Sequence, residues 1–408
     1  MKKIALIGNM NNNFYALTRY LRDAGYDAHL FYRLAMEHFQ PKADSYSDEY
    51  LEYCHEVDWL EKGFHNANIE SVKQQLAGYD FYIGQGEEAA VAYCAGYRIN
   101  VYYPYGSDVY KYAHLPQEYK WKSKIASLVS GDSSRPTYKQ MKRGTMAKYL
   151  KGAIVNAQYI FADATNEEYQ DKIESLCYKG EFRNVGLPFL YAPEYEKLLE
   201  NDMPHLQHNA EMKELRGKYN FILLYHGRQE WETYHNQFTG KNTDYLIRGF
   251  ASYVNNNKDS NACLVMLEYG SDVEASKKLV TELNIADRVY WFPKMYRKEL
   301  MNIIKYVDLC SGEFAHSFLV FGTVVEAMMM KKPVITYRDD RLYSDIYKEL
   351  YPCFNAKQPD EIANALYDVG NLMEKTRKMG QGAHEWLLNY FINKPLAQLI
   401  HVIEQHVS

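Results

Sequence analysis

Several signatures are missing from this 408-residue chain, and each absence excludes a class of function. No Cys-x-x-Cys pair occurs. Cys54, Cys94, Cys177, Cys263, Cys310 and Cys353 are scattered, which argues against a zinc site and a disulfide framework and points to a reducing compartment. Cys263 and Cys310 lie in apolar strand-like runs and are expected to be buried thiols. The thirteen histidines make no His-x-x-x-His ligand pair. No run approaches the ~18 apolar residues of a membrane span. The apolar stretch after Lys2-Lys3 is too short for a secretory signal, so the expected location is cytoplasmic. A net charge of −5 disfavours a general nucleic-acid binder. The first strand runs into Gly8-Asn9-Met10-Asn11-Asn12-Asn13, which is neither a Gly-x-Gly-x-x-Gly fingerprint nor a P-loop. Asparagine tolerates left-handed backbone, so that loop can still be tight, with free N–H groups at the following helix. No Asp-x-Asp stands at a strand end, and no metal is expected.

What is present is a chain long enough for two cores. Tyrosine is abundant, with 39 residues. Its flat face and hydroxyl suit sugars or membrane interfaces, and suit an ordinary core equally well. One segment departs from the acidic average. Residues 119–151 carry nine basic residues and one acid, Asp132, interleaved with Trp121, Tyr138 and Tyr149. Such a stretch is either a solvated helical face or a surface for an anionic membrane or a pyrophosphate-bearing acceptor.

Short β-branched runs alternate with helical patterns through both halves: KIALIG, AHLFYR, YDFYIG and INVYYPYG, then NFILLYHG, ACLVML, RVYWFP and PVITY. That alternation predicts an α/β protein with two parallel, helix-wrapped sheets. The expected domains are 1–190 with 386–408 returning to it, and 216–385. The stretch 185–209, with three prolines and little periodicity, reads as a linker, and its expected bounds are 191–215.

The segment HSFLVFGTVVEAMMMKKPVIT (316–336) poses a specific question. Glu326 is a lone carboxylate near the front of an otherwise apolar helix. Thr323 and Glu326 have the spacing of a capping box, which makes the glutamate structural. The alternative is a functional carboxylate.

The second half resembles the family-four retaining glycosyltransferases of the two-Rossmann GT-B architecture. HGRQEW…TGKNTDYLIRGFASYV is similar to the family's Gly-Arg…Lys block, placing Arg228 and Lys241 on its cations. VVEAMMMKKPVIT is similar to its Leu-Glu-Ala-Met…Pro-Val-Ile block, placing Glu326 on the glutamate that meets the ribose. YGSDVYKY resembles a His-Gly-Ser-Asp block, with Tyr105 in the histidine's place, and the final helix fits one that crosses back to the first domain. The resemblance implies transfer of a sugar from a nucleotide-sugar, UDP-linked in preference to GDP- or ADP-linked, to a glycan or lipid-linked acceptor with retention of configuration. It implies catalytic roles for Arg228, Lys241 and Glu326. The donor side comprises Gly8, Asn9, Gly227, Met295, His316, Ser317, Phe318, Gly322 and Thr323, and the acceptor side Asn13, Tyr105, Gly106 and Asp108. The chemistry agrees with this. A departing diphosphate builds negative charge, which a forked arginine, a lysine and a helix N-terminus stabilise without a metal. The chain departs from the pattern where Phe318 replaces the first motif glutamate, and Glu313 stands five residues too early to substitute for it. A catalytically silent relative acting as a binding or partner subunit is the alternative, and peripheral attachment to the inner leaflet through 119–151 is the expected membrane contact.

Overall fold

The computed structural model describes residues 2–34, 40–115, 138–162, 167–234 and 240–406. The chain divides into two compact units, Met1–Tyr191 with Tyr390–Ser408, and Ala192–Asn389.

Unit 1 holds a seven-stranded sheet in the order β3-β2-β1-β4-β5-β6-β7. Its strands are β1 (Lys3–Ile7), β2 (Asp27–Tyr32), β3 (Cys54–Glu56), β4 (Phe81–Gly84), β5 (Val101–Tyr102), β6 (Tyr159–Ala162) and β7 (Glu181–Asn184). Every neighbouring pair is parallel. The central strand β1 is a continuous apolar run because both of its faces are covered. Ala5 and Ile7 face a core with Ala89, Val91, Leu150 and Ile154. Ile4 and Leu6 face another that includes Phe14, Leu17, Leu399, Val402 and Ile403. The last three come from the helix Lys394–His406. The C-terminal segment therefore returns to complete the first core, as expected.

Unit 2 repeats the plan with six strands in the order β10-β9-β8-β11-β12-β13. These are β8 (Phe221–Tyr225), β9 (Ala262–Glu268), β10 (Val289–Pro293), β11 (Leu309–Ser311), β12 (Val334–Thr336) and β13 (Phe354–Asn355), again all parallel. Both sheets reverse their strand order beside a central strand, at β1/β4 and at β8/β11. In such sheets ligands bind beyond the carboxyl ends of the strands at that switch point.

One expectation is corrected. The segment 191–215 is not a structureless linker: it contains the helix Ala192–Glu200 and most of Asn209–Lys218. Tyr195, Leu198, Met212 and Leu215 are buried. The Lys305 ammonium donates to Leu198 O, and Tyr306 OH donates to Asn209 Oδ1, tying these helices to the helix Arg297–Tyr306. Pro193 falls within the first helical turn, where its missing N–H has no partner to lose; read alone it looks like a breaker.

Many tyrosines serve as core. Tyr15, Tyr102, Tyr103, Tyr195, Tyr225 and Tyr351 are among the largest fully buried side chains. Cys263 and Cys310 are buried free thiols, as expected. Among the described residues no helix is long and apolar enough to cross a membrane. The basic stretch falls outside the described residues over 119–137; its end enters the helix Tyr138–Val155, where Lys148 is exposed.

Because the returning helix fills the first core, Ile403→Ala should destabilise unit 1 by about 2–5 kcal/mol, the usual cost of truncating a buried isoleucine. Urea denaturation followed by circular dichroism measures this.

Candidate active site

In unit 2 the strand β8 ends in the turn His226-Gly227-Arg228-Gln229-Glu230. Tyr225 OH folds back to donate to Arg228 O at 2.9 Å and lies 2.9 Å from Thr243 Oγ1. Gln229 is clamped from the other side: its N–H donates to Tyr269 O, and its carbonyl accepts from Asp272 N–H. Gly270, at φ +119°, lies so close to the Gln229 backbone that a Cβ would collide with it. The following aromatic loop is organised by Asp272. Its carboxylate accepts N–H bonds from Trp231, Glu232 and Thr233 and is bonded by Thr233 Oγ1. Burial pushes this carboxyl up, but these donors outweigh burial and hold it below the ordinary aspartate value.

Arg228 is half-exposed, and its Nη1 lies 3.0 Å from Glu230 Oε1. Lys241 precedes the helix Thr243–Asn256, and its Nζ is 2.7 Å from Glu313 Oε2. Glu313 follows β11. Lys241 Nζ also sits 5.7 Å from the ring of Phe321, the residue that caps the helix Gly322–Met329. Arg228 and Lys241 both act electrostatically on Glu313, so the two predicted cations occupy one neighbourhood.

Glu326 answers the question its sequence poses. No capping box forms: the helix start has no side-chain cap, and Thr323 Oγ1 is buried without a partner. The Glu326 carboxylate instead accepts from His226 Nε2 at 3.1 Å and from Arg297 Nε at 2.8 Å. Burial raises its carboxyl, but the His226 hydrogen bond and the Arg297 charge more than offset burial, so it lies below the usual glutamate range. Each carboxylate oxygen keeps further acceptor capacity.

Several predicted ligands are used internally. Ser317 Oγ accepts Asp339 N–H at 2.8 Å, and Tyr343 OH donates to Ser317 O at 3.0 Å, so Ser317 binds the neighbouring loop. Phe318 packs edge-on against Phe321 with ring centroids 5.2 Å apart. Gly322 is exposed at the helix start, Met295 and His316 are half-buried, and Gly227 lies in the turn itself. Gly8 and Asn9 belong to unit 1. There the expected free N–H groups are satisfied by side chains: Asn9 Oδ1 takes Tyr15 N–H at 3.0 Å, and the Gln85 amide, oriented to satisfy both its ends, takes Met10 N–H at 3.0 Å. Gly8, at φ +96°, packs against Gln85.

Asn13 is buried, with Gln85 3.0 Å from its Oδ1. Asp108 is fully buried and accepts from Tyr102 OH and from the N–H groups of Tyr105, Gly106 and Val109. Burial pushes its carboxyl up to about 6, against the opposing hydrogen bond of Tyr102. These two residues shape their loops and do not present themselves to a ligand. Tyr105 and Gly106 remain partly accessible.

Sequence reasoning missed His226, Glu230, Arg297 and Asp272, and discounted Glu313. Four of the eleven buried side-chain atoms without a hydrogen-bond partner among the described residues lie here: His226 Nδ1, Gln229 Oε1, Glu230 Oε2 and Thr323 Oγ1. Unmet buried polar groups cost about 1–3 kcal/mol each.

Glu326→Gln should remove an acid-side contribution to stability. A glutamate held below its ordinary value stabilises the fold fully above about pH 4.3 and loses that contribution as pH falls through its folded value. The stability difference between wild type and the variant, from urea melts, should shrink steadily below about pH 4.

Residues 224–386 match the glycosyl transferases group 1 family. No curated protein matches the chain. Among solved structures, the Anabaena protein HepE in complex with UDP is similar over 99% of this chain and all of its own, at 14% identity and TM-score 0.60. Sucrose-phosphate synthase from Thermosynechococcus elongatus is similar over 100% of this chain and 99% of its own, at 15% identity and TM-score 0.58. The UDP-GlcNAc 2-epimerase of Neisseria meningitidis bound to UDP-GlcNAc is similar over 99% and 100%, at 9% identity and TM-score 0.55. These likenesses establish the two-Rossmann, GT-B fold.

Proposed function

From a second unit that matches the group 1 glycosyl transferases, we propose that the protein transfers a sugar from a nucleotide-sugar to a glycan or lipid-linked acceptor. The observation that carries this is the convergence of Arg228, Lys241 and the exposed start of the helix Gly322–Met329 at the carboxyl edge of unit 2. The two side chains supply positive charge, and the helix start adds N–H groups and its dipole, where a departing diphosphate gathers negative charge. Glu326, held rigid by His226 and Arg297, presents its remaining lone pairs to the ribose hydroxyls. UDP is the nucleotide we favour, because HepE and the epimerase were captured with UDP and UDP-GlcNAc.

In the retaining reaction, the bond from the sugar's anomeric carbon to the phosphate oxygen breaks. The acceptor oxygen bonds on the same face, and its proton passes to the departing phosphate. Arg228 and Lys241 stabilise the charge at that oxygen, which makes the step independent of a metal. The accessible Tyr105 and Gly106 are the acceptor-side candidates. The second reading, a nucleotide-binding relative without transferase activity, rests on Phe318 in place of the first motif glutamate. The epimerase shows that this fold also carries other chemistry.

A panel of UDP, GDP and ADP read by thermal shift tests the site, with the largest stabilisation expected for UDP. Arg228→Ala or Lys241→Ala should each lower kcat at least ~100-fold, the scale for removing one charge-stabilising donor. Chelator should leave the rate unchanged, and the product should keep the donor's anomeric configuration by NMR. An inverted product would overturn the mechanism.

A further inference from the structure

Each of the three cations at this site is already matched by a carboxylate: Arg228 by Glu230, Arg297 by Glu326 and Lys241 by Glu313. As it stands the constellation is close to neutral, yet the function proposed above brings in a diphosphate. The three pairs are not equivalent. Arg228 is 46% exposed, so water already screens its attraction to Glu230. Glu326 is anchored by two donors and stays ionised. Glu313 and Lys241 are both mostly buried, with side chains 11% and 15% exposed, and low-dielectric surroundings make their mutual charge felt most strongly.

The backbone of each member of that pair is tied down. Lys241 N–H donates to Glu230 O at 2.6 Å, and Lys241 O accepts from Phe314 N–H at 3.3 Å, next to Glu313 itself. Glu313 O accepts from Tyr337 N–H at 3.0 Å and from Thr336 Oγ1 at 3.1 Å. The two backbones are stitched to each other and to the strand ends. An anion reaching Lys241 therefore meets a carboxylate whose backbone is held beside it.

We propose that Glu313 is the counter-charge Lys241 exchanges for the donor's diphosphate, and that the Glu313 carboxylate takes up one proton from solvent as the diphosphate binds. Glu313 acts here as a positioning residue: it holds the lysine ready in the empty site and becomes neutral in the filled one. The groups facing it are Lys241 from the segment before the helix Thr243–Asn256, Arg228 and Glu230 from the turn after β8, and Tyr225 from β8. Burial already raises its carboxyl, with Lys241 as the main opposing influence. A bound diphosphate satisfies Lys241, removes that opposition and adds like charge. The sign follows: the bound state holds the extra proton, so this linkage weakens affinity as pH rises between the free and bound values of Glu313.

The inference rests on the nucleotide-sugar reading, and titration calorimetry with UDP separates the two. UDP's own terminal phosphate gains charge as pH rises, so without Glu313 its affinity should increase toward pH 8. Measured in two buffers of different ionisation enthalpy, wild type should take up nearly one proton more than Glu313→Gln. The variant should bind UDP about tenfold more tightly near pH 8, the equivalent of one pKa unit. Glu230→Gln, which removes a neighbouring charge, should keep the wild-type proton uptake.

UDP binding with the same proton count in wild type and Glu313→Gln overturns this inference and leaves the site reading standing. Uptake abolished by Glu230→Gln and not by Glu313→Gln overturns the assignment to Glu313. Failure of UDP to bind any of the three proteins overturns the site reading and this inference with it. If Glu313→Gln does not fold, the wild-type profile decides. Above about pH 7, where the terminal phosphate of UDP is already ionised, affinity that falls as pH rises supports the proposal, and affinity that stays level or rises overturns it.

Discussion

The carboxylate of Glu326 is the interaction on which the geometry of unit 2's site depends. Three elements distant in sequence meet there: the end of β8 through His226, the start of the helix Arg297–Tyr306 through Arg297, and the helix Gly322–Met329. A buried carboxylate with one partner removed would leave an uncompensated charge, a cost of about 3–5 kcal/mol. The three elements are therefore fixed in one arrangement, and with them the turn that carries Arg228. Asp272 does the same for the loop beyond that turn, collecting three consecutive backbone N–H groups. Asp108 does it in unit 1 for the turn at Tyr105-Gly106. In both sheets, loops at the carboxyl ends are thus shaped by buried carboxylates where the chain has no glycine-rich fingerprint.

For the diphosphate proposed above, the use of acids to organise the site creates a tension that the pairings resolve. Carboxylates near a diphosphate are unfavourable unless each is occupied elsewhere or neutralised. Asp272 is occupied by backbone donors, and Glu326 by His226 and Arg297. Glu230 spends one oxygen on Arg228 and leaves the other unpartnered. Glu313 is the carboxylate whose compensation comes from Lys241, with Arg228 adding to it, the two cations that the proposed ligand would claim. The electrostatics of the site is thus a matter of which partner each acid keeps.

Much of the fold was legible in the sequence. A parallel strand covered on both faces needs an unbroken apolar run, so β1 and β8 announce themselves, and the helices between strands keep their period. The helices at 192–218 were lost to the reading because a proline in a first helical turn and one in a linker look alike. Within the site, Arg228, Lys241 and Glu326 were identifiable by residue type and by resemblance, and they do share one neighbourhood. Their partners were not. His226 and Glu326 are 100 positions apart, and Lys241 and Glu313 72, separations at which only the sheet order decides who meets. Ser317, Asn13 and Asp108 failed for a related reason: a polar residue in a loop announces a hydrogen bond, but not whether its partner is a ligand or the next loop.

The unpartnered atoms bear on the choice between a ligand-binding protein, active or silent, and a bare scaffold. A protein that kept this fold only as a scaffold would be more stable with His226 Nδ1, Gln229 Oε1, Glu230 Oε2 and Thr323 Oγ1 either bonded or replaced by apolar groups, since each unmet group costs on the order of 1–3 kcal/mol. They lie instead around the turn of Arg228 and the start of the helix Gly322–Met329, the two features that would hold a diphosphate. Their chemistry is mixed, with carbonyl and carboxylate oxygens that need donors beside a hydroxyl and an imidazole nitrogen that can serve either way. Inorganic phosphate would not satisfy that set, since it offers mainly acceptors. A nucleotide-sugar, the donor proposed above, would bring ribose and hexose hydroxyls as donors together with its phosphate acceptors.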